Sequence, residues 1–361
     1  MTPTAARRYR NSLRQMEAVY RLRRRLFLLH LDLTWRCPLA CHHCYLGPGT
    51  APGAQELSGR DWSAFLEEAR RLQVVRVVLS GGDPMLHPDF REILQRCAAL
   101  GFSVLVKTTG WRLGEPGLVD LLAAVPFLSV DLSLHHLDPE MHDAFTGRPG
   151  SHRVALNTIR ALQQRGIPIR ITRSLVRGIP DDRGALRRWC EARGIPLVES
   201  LVVLPVRGGN PAAGSSNGSR GGLAMPWPEN WQQEALRRLW APETRRPPAP
   251  DPESSLCAAG QTRLYASPVG TLSPCVAWAR PLGHVRDGLA RVLRSSALRE
   301  VRRVRQRHRG ECRHCEWLAV CDFCPGLAEE ATGSPLRPYP GACRLARVRD
   351  EVLPRDQEAP P

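Results

Sequence analysis

Cys37-Pro38-Leu39-Ala40-Cys41-His42-His43-Cys44 places three cysteines on one short run, spaced C-x3-C-x2-C. An apolar stretch at 26–33 precedes it and reads as a strand, so the run is a loop at a strand end. Three thiolates on one loop can hold three irons of a cubane cluster and leave the fourth iron open to a ligand. A structural zinc ion wants four closed ligands, and His42 or His43 is available as a fourth. A cluster with four protein ligands is coordinatively complete. The triad alone leaves zinc, a cluster or unrelated buried thiols open.

Outward from the triad, short apolar runs alternate with amphipathic stretches. The runs at 26–33, 74–79, 102–106, 127–134, 167–175 and 197–204 read as strands. Helix-like segments lie between them, at 58–72, 88–100, 116–124, 139–165 and 181–193. Asp89 sits near a helix start, where negative charge suits the dipole. Gly101, Gly166 and Gly194 sit just beyond helices, where left-handed caps fall. Such alternation predicts a parallel sheet with right-handed crossovers. The loops that carry function then lie at the C-terminal ends of strands, and the cysteine run sits at one of them.

The chain has 361 residues, enough for two or three domains and a sizeable core. Neither a signal peptide nor an apolar run long enough to span a bilayer is evident, so a cytoplasmic location and no membrane partner are expected. In that compartment twelve cysteines favour metal or redox chemistry over disulfides. Net charge is +16, almost all of it arginine, since Lys107 is the one lysine. Arginines crowd the N-terminus and the stretch 286–309. A basic surface attracts acidic peptides, anionic membranes or RNA, while the plain reading is a solvated helix face. Without interleaved aromatics, nucleic acid is not expected as a partner.

Cys37, Cys41 and Cys44 resemble the cluster motif of the radical S-adenosylmethionine (SAM) superfamily, usually C-x3-C-x-aromatic-C. His43 stands at the aromatic position, where the resemblance implies contact with the adenine side of SAM. Downstream, the strand at 74–79 leads into Gly81-Gly82-Asp83-Pro84. This is similar to the family's G-G-E/D-P turn, whose backbone and acid hold the amino group of SAM. Lys107-Thr108-Thr109-Gly110 resembles its T-N-G, which makes Thr108 a candidate contact. Ser133 resembles the serine at the SAM ribose, and Arg170 and Thr172 are further candidates. For these polar strand-end residues the alternative is a backbone partner or water. The resemblance implies an α/β fold: a partial (β/α)6, TIM-like barrel over 26–206.

Seven more cysteines follow: Cys257, Cys275, Cys312, Cys315, Cys321, Cys324 and Cys343. Gly270-x4-Cys275, then C-x2-C-x5-C-x2-C, then Cys343, resembles the SPASM domain appended to many such enzymes. The family's last short gap is usually three residues; here it is two. A four-cysteine zinc knuckle at Cys312, Cys315, Cys321 and Cys324 is the rival, but it leaves three cysteines unexplained. The resemblance implies one or two auxiliary iron–sulfur clusters with interleaved ligands. Cys312, Cys315, Cys321 and Cys343 would close one, and Cys257, Cys275 and Cys324 would hold the other, whose fourth ligand is open. Cys97 and Cys190 match no motif and read as buried thiols. The expected organisation is a basic N-terminal extension (1–25), the barrel (26–206), a flexible linker and bridging helix (207–252), a Cys-rich SPASM domain (253–350) and a tail (351–361).

The resemblance implies a [4Fe-4S] cluster that binds SAM and reduces it to a 5′-deoxyadenosyl radical, which removes hydrogen from an unactivated carbon. Relatives with this layout mostly modify peptides or proteins. Maturation of a ribosomally made peptide is therefore the leading expectation, through a thioether or carbon–carbon crosslink or a related oxidation. Some 25 residues precede the first strand, so leader recognition is expected from the core, the basic N-terminus or a separate protein. A reductase, flavodoxin or ferredoxin would supply the electron. The alternatives are small-molecule or tetrapyrrole-type cofactor synthesis, and a non-enzymatic zinc or iron–sulfur scaffold.

Overall fold

The computed structural model describes residues 3–41, 43–46, 55–175, 182, 184–200 and 246–353. The expected linker at 207–225 and bridging helix at 226–240 lie outside the described residues. Six strands form a parallel sheet in the order β6-β5-β4-β3-β2-β1. They are β1 (Leu28–Thr34), β2 (Arg76–Gly81), β3 (Ser103–Thr108), β4 (Leu128–Ser133), β5 (Ile169–Ser174) and β6 (Leu197–Ser200). Register runs through Asp32↔Ser80, Lys107↔Asp131 and Asp131↔Arg170, with a shift in the β1–β2 pairing between Asp32 and Thr34.

The strands alternate sharply. Leu29, Leu31, Leu33, Val77, Leu79, Val104, Val106, Val130, Leu132 and Ile171 are wholly buried. They belong to one core with Trp62, Phe65 and Leu66 of α2 (Gly59–Arg71) and Ile93 and Leu94 of α3 (Phe90–Ala99). Each such side chain withdrawn from water stabilises by about 1.5–3 kcal/mol. The opposite face carries His30, Asp32, Lys107, Asp131 and Arg170, a polar interior. Ser58 and Asp61 close a reciprocal cap at the start of α2. Gly101, Gly166 and Gly194 have positive φ just after helices, as their positions predict.

The segment 139–165, read as one helix, is two: α5 (Pro139–Thr146) and α6 (Ser151–Gln164), after α4 (Leu118–Ala123). Gly147 and Gly150 take left-handed φ of 64° and 81°. The Asp143 carboxylate accepts from the backbone N–H of Gly150 and of His152 and from Ser151 Oγ, so the break is held by its own cap. Helix α7 (Ala185–Glu191) precedes β6.

The N-terminal stretch is a helix, α1 (Pro3–Leu22), packed onto the barrel. Leu13 is buried, Glu17 clasps Arg263 through both carboxylate oxygens, and Tyr20 Oη donates to Gln73 O. The C-terminal region joins the same sheet. β7 (Arg263–Ala266) pairs parallel to β1, and β8 (Thr271–Ser273) and β9 (Gly283–His284) continue antiparallel. Helices α8 (Leu289–Arg294), α9 (Ser296–Arg303), α10 (Pro325–Thr332) and α11 (Pro340–Val352) follow. Among the described residues no helix is long and apolar enough to cross a membrane.

Candidate active site at the strand ends

β1 ends at Thr34 and delivers the cysteine loop; β2 ends at Gly81 and delivers the Gly-Gly-Asp-Pro turn. The two are tied backbone to backbone. Gly82 N–H donates to Thr34 O and Asp83 N–H donates to Arg36 O, both at 2.8 Å. A methyl group on Gly81 would meet Thr34 O at 2.3 Å, and one on Gly82 would meet Arg36 O at 2.3 Å. Glycine is required there because the chains approach too closely for any side chain. Glu56 holds the loop entrance, accepting from Thr34 Oγ1 (2.6 Å), Trp35 N–H (2.9 Å) and the Arg36 guanidinium (2.8 Å). At the far side Ala40 N–H donates to Thr146 O at 2.8 Å, seating the loop on α5.

The three thiols are half-buried neighbours. Burial pushes Cys37 and Cys41 up to about 12; Asp83 and Cys44 add to this at Cys37, and Cys37 and Cys44 at Cys41. Three mutually repelling thiolates out of water call for a cation between them. Among the described residues no three donors close on a point as a single ion requires.

Asp83 is fully buried. Its carboxylate accepts from Met85 N–H (3.1 Å), Thr108 Oγ1 (2.8 Å), Thr109 N–H (3.0 Å) and Thr109 Oγ1 (2.6 Å). Thr109 is thus the partner that locks the end of β3 to the turn. Arg170 and Thr172 both bind the buried Asp131 carboxylate. Ser133 sits half-buried at the end of β4.

The His43 ring lies 4.8 Å from Phe145 and 5.1 Å from His135, whose own ring is 4.1 Å from Phe145. His142 and His152 extend the row. Burial draws His135 well below its ordinary value, with His43 and His142 adding to the effect, and draws His142 down to about 4. His135 and His142 are therefore neutral aromatic packing at physiological pH. Only His43 was legible in the sequence, because the others lie far from it along the chain.

A second tie was not legible at all. Asp32, fully buried in β1, accepts from Tyr45 Oη, one residue beyond Cys44, and from Tyr265 Oη of β7, each at 2.8 Å. One carboxylate thus links the cysteine loop to the C-terminal region.

The seven later cysteines gather in two sets. Cys275 feels Cys324 and Cys257 as charged neighbours, and Cys257 feels Cys324. Cys343 feels Cys312, Cys321 and Cys315. Gly326 makes the first set possible: a methyl group there would sit 2.2 Å from Ala277 O, so the start of α10 rides directly on the backbone after Cys275. In the second set Arg309, almost fully buried, donates to Cys321 Sγ at 3.6 Å and lies over the Phe323 ring. Cys97 and Cys190 are buried in helices, away from both sets.

Residues 32–190 match the model of the radical SAM superfamily, and residues 257–316 match that of an iron–sulfur cluster-binding domain, the SPASM domain. The chain belongs to the radical SAM superfamily. It is an enzyme of that class, with SAM, a [4Fe-4S] cluster and the auxiliary clusters of a SPASM domain as its cofactors. It is 23% identical to an AdoMet-dependent heme synthase of Oleidesulfovibrio alaskensis, over 87% of this chain and 86% of that protein. It is 34% identical to the PqqA peptide cyclase of Xanthomonas oryzae pv. oryzae, over 41% of this chain. That match spans 39% of the cyclase. Streptococcus suis SuiB bound to its precursor peptide SuiA shares the fold, with a TM-score of 0.60 at 16% identity, covering 91% of this chain and 79% of SuiB.

Proposed function

We propose that the enzyme modifies a peptide, most plainly by maturing a ribosomally made precursor. The carrying observation is the cysteine triad fastened at the strand tops to the Gly81–Gly82 backbone, with two further thiol sets beside the same sheet. Similarity to a peptide cyclase within the barrel supports the substrate class. With its cofactors bound, the site supplies reductive cleavage of SAM to a hydrogen-abstracting radical.

In this reading Cys37, Cys41 and Cys44 hold the SAM-binding cluster. Gly81 and Gly82 let the turn come within backbone distance of the loop. The Asp83 carboxylate is spent on Thr108, Thr109 and Met85, so it positions the turn and Pro84, and the backbone faces the amino group of SAM. His43 and Ser133 complete the SAM surroundings, while Arg170, held by Asp131, lines the cavity against α1. Cys257, Cys275 and Cys324 hold one auxiliary cluster, and Cys312, Cys315, Cys321 and Cys343 the other. Arg309 offsets the negative charge of the second. A flavodoxin, ferredoxin or reductase supplies electrons, and the core, the basic N-terminal helix or a separate protein recognises the leader.

Cys41→Ala tests the assignment: it should abolish 5′-deoxyadenosine formation, and retained cleavage would refute it. Anaerobically purified protein should carry roughly ten to twelve irons; about four would sink the auxiliary sites. Mass spectrometry of a co-expressed neighbouring precursor peptide tests the substrate class. A second reading, small-molecule or cofactor synthesis, is favoured by the near full-length similarity to a heme synthase, and an unmodified peptide beside a modified porphyrinoid would establish it.

A further inference from the structure

A cavity of about 420 Å³ lies between α1 and the inner face of the barrel sheet. Its walls alternate along the strands, Leu28 and His30 of β1, Arg76 and Val78 of β2, Leu105 and Lys107 of β3, so it lies on the sheet face opposite the one packed by α2 and α3. Six cations line it, Arg10, Arg14, Arg76, Lys107, Arg170 and Arg263, against a single carboxylate, Glu17. Glu17 is committed to Arg263 and Thr262. Arg170 is held by Asp131. Arg14, Arg76 and Lys107 form no ion pair among the described residues.

The hydrogen-bond balance is also incomplete. Arg76 Nε and Arg170 Nε are buried without a partner, while His30 Nε2 lies 3.3 Å from the Asp32 carboxylate. Burial draws the Arg76 guanidinium below its ordinary value, and Arg170 and Arg263 push the same way against Tyr9 and Glu17. A half-buried cluster with cations in excess and guanidinium donors unmet becomes more favourable around an anion. Planar guanidinium forks match a carboxylate in particular.

Position gives the cluster a use. Arg76 opens β2 and Gly81 closes it, a rise of about 17 Å at ~3.3 Å per residue. Arg76 therefore lies well below the strand tops where the cysteine loop sits, Lys107 lies nearer them at the end of β3, and Cys275 lines the same cavity. The space suits one or two residues of a peptide, with the rest of it leading upward.

We infer that this cavity anchors a carboxylate of the substrate peptide, an acidic side chain or the C-terminus, on Arg76, Arg170 and Lys107. The inference rests on the peptide-modifying reading and adds that the substrate carries negative charge at a set distance from the carbon attacked.

The test uses the full chain, purified anaerobically with its iron, and titrates it calorimetrically with capped Gly-Gly-Glu-Glu, capped Gly-Gly-Gln-Gln and glutarate. The acidic peptide should bind about tenfold or more tighter than the neutral one. Arg76→Gln should erase that preference while Arg76→Lys keeps most of it, a pattern that a merely structural Arg76 would not produce. Equal binding of the two peptides to the unaltered protein overturns the anchor without recourse to any variant. Glutarate binding tighter than the acidic peptide overturns the peptide source in favour of a small polycarboxylate. The same preparation is assayed for 5′-deoxyadenosine: cleavage without acidic preference removes the anchor alone, whereas no cleavage removes the proposed function.

Discussion

Gly82→Ala isolates the contact on which the site depends. Gly82 does not have positive φ, so alanine meets no backbone strain of its own and the effect is purely steric. The new methyl carbon would lie 2.3 Å from Arg36 O and 2.7 Å from Trp35 O. Those oxygens belong to backbone and cannot rotate away. To reach even 3.0 Å from Arg36 O, the turn and the cysteine loop must separate by 0.7 Å. The two 2.8 Å bonds that join them, Gly82 N–H to Thr34 O and Asp83 N–H to Arg36 O, would then lie near 3.5 Å and be lost. Two lost bonds cost about 1 kcal/mol each, and the overpacking adds roughly 1–3 kcal/mol. A destabilisation of about 3 kcal/mol should lower the thermal midpoint by about 5 °C. On the proposed assignment, a shift of this size between the cysteine loop and the Gly81–Gly82 turn should slow SAM cleavage by about a hundredfold. The assay is 5′-deoxyadenosine release under dithionite, with iron content measured in parallel. A variant that keeps its iron and cleaves SAM within about twofold of the unaltered protein would refute the close approach of the two loops.

Tyr265→Phe removes one of two hydroxyls on the buried Asp32 carboxylate and should cost about 1.5–3 kcal/mol; Tyr45→Phe should cost a similar amount, and denaturant unfolding that finds either variant as stable as the parent would contradict the shared tie. The Arg286 guanidinium, against a smaller opposing effect of burial, and Ser58 hold the Asp61 carboxyl well below its usual range. A depressed folded-state value means that this carboxyl's contribution is fully present above about pH 4 and is lost as pH falls further. Asp61→Asn should therefore lower stability modestly at neutral pH, match the parent at strongly acidic pH and flatten the fall between, as read from denaturant unfolding across pH.

The two glycine-rich and cysteine-rich motifs were readable because their chemistry is local. A C-x3-C-x2-C loop needs only a strand before it, and Gly81-Gly82 marks a turn whatever lies elsewhere. The strand and helix pattern was equally plain where buried leucines and valines alternate with polar residues. The split at Gly147–Gly150 was not, because α5 and α6 are both amphipathic and the break depends on Asp143 reaching three donors. Nor was the role of the first 25 residues: their arginines read as a solvated face, whereas Leu13 and Glu17 seat the helix against the sheet.

Sequence alone determined the parallel α/β order, the thiol ligands available and the class of chemistry they serve, since each rests on spacing along the chain or on hydrophobic period. Tertiary structure decided which groups meet. It joined β7 to β1, put Tyr45 and Tyr265 on one oxygen of Asp32, divided seven thiols between two places, and gathered α1 and five strands around a cationic cavity. Those contacts join residues far apart in sequence, and their energies depend on burial and distance, which no local pattern encodes.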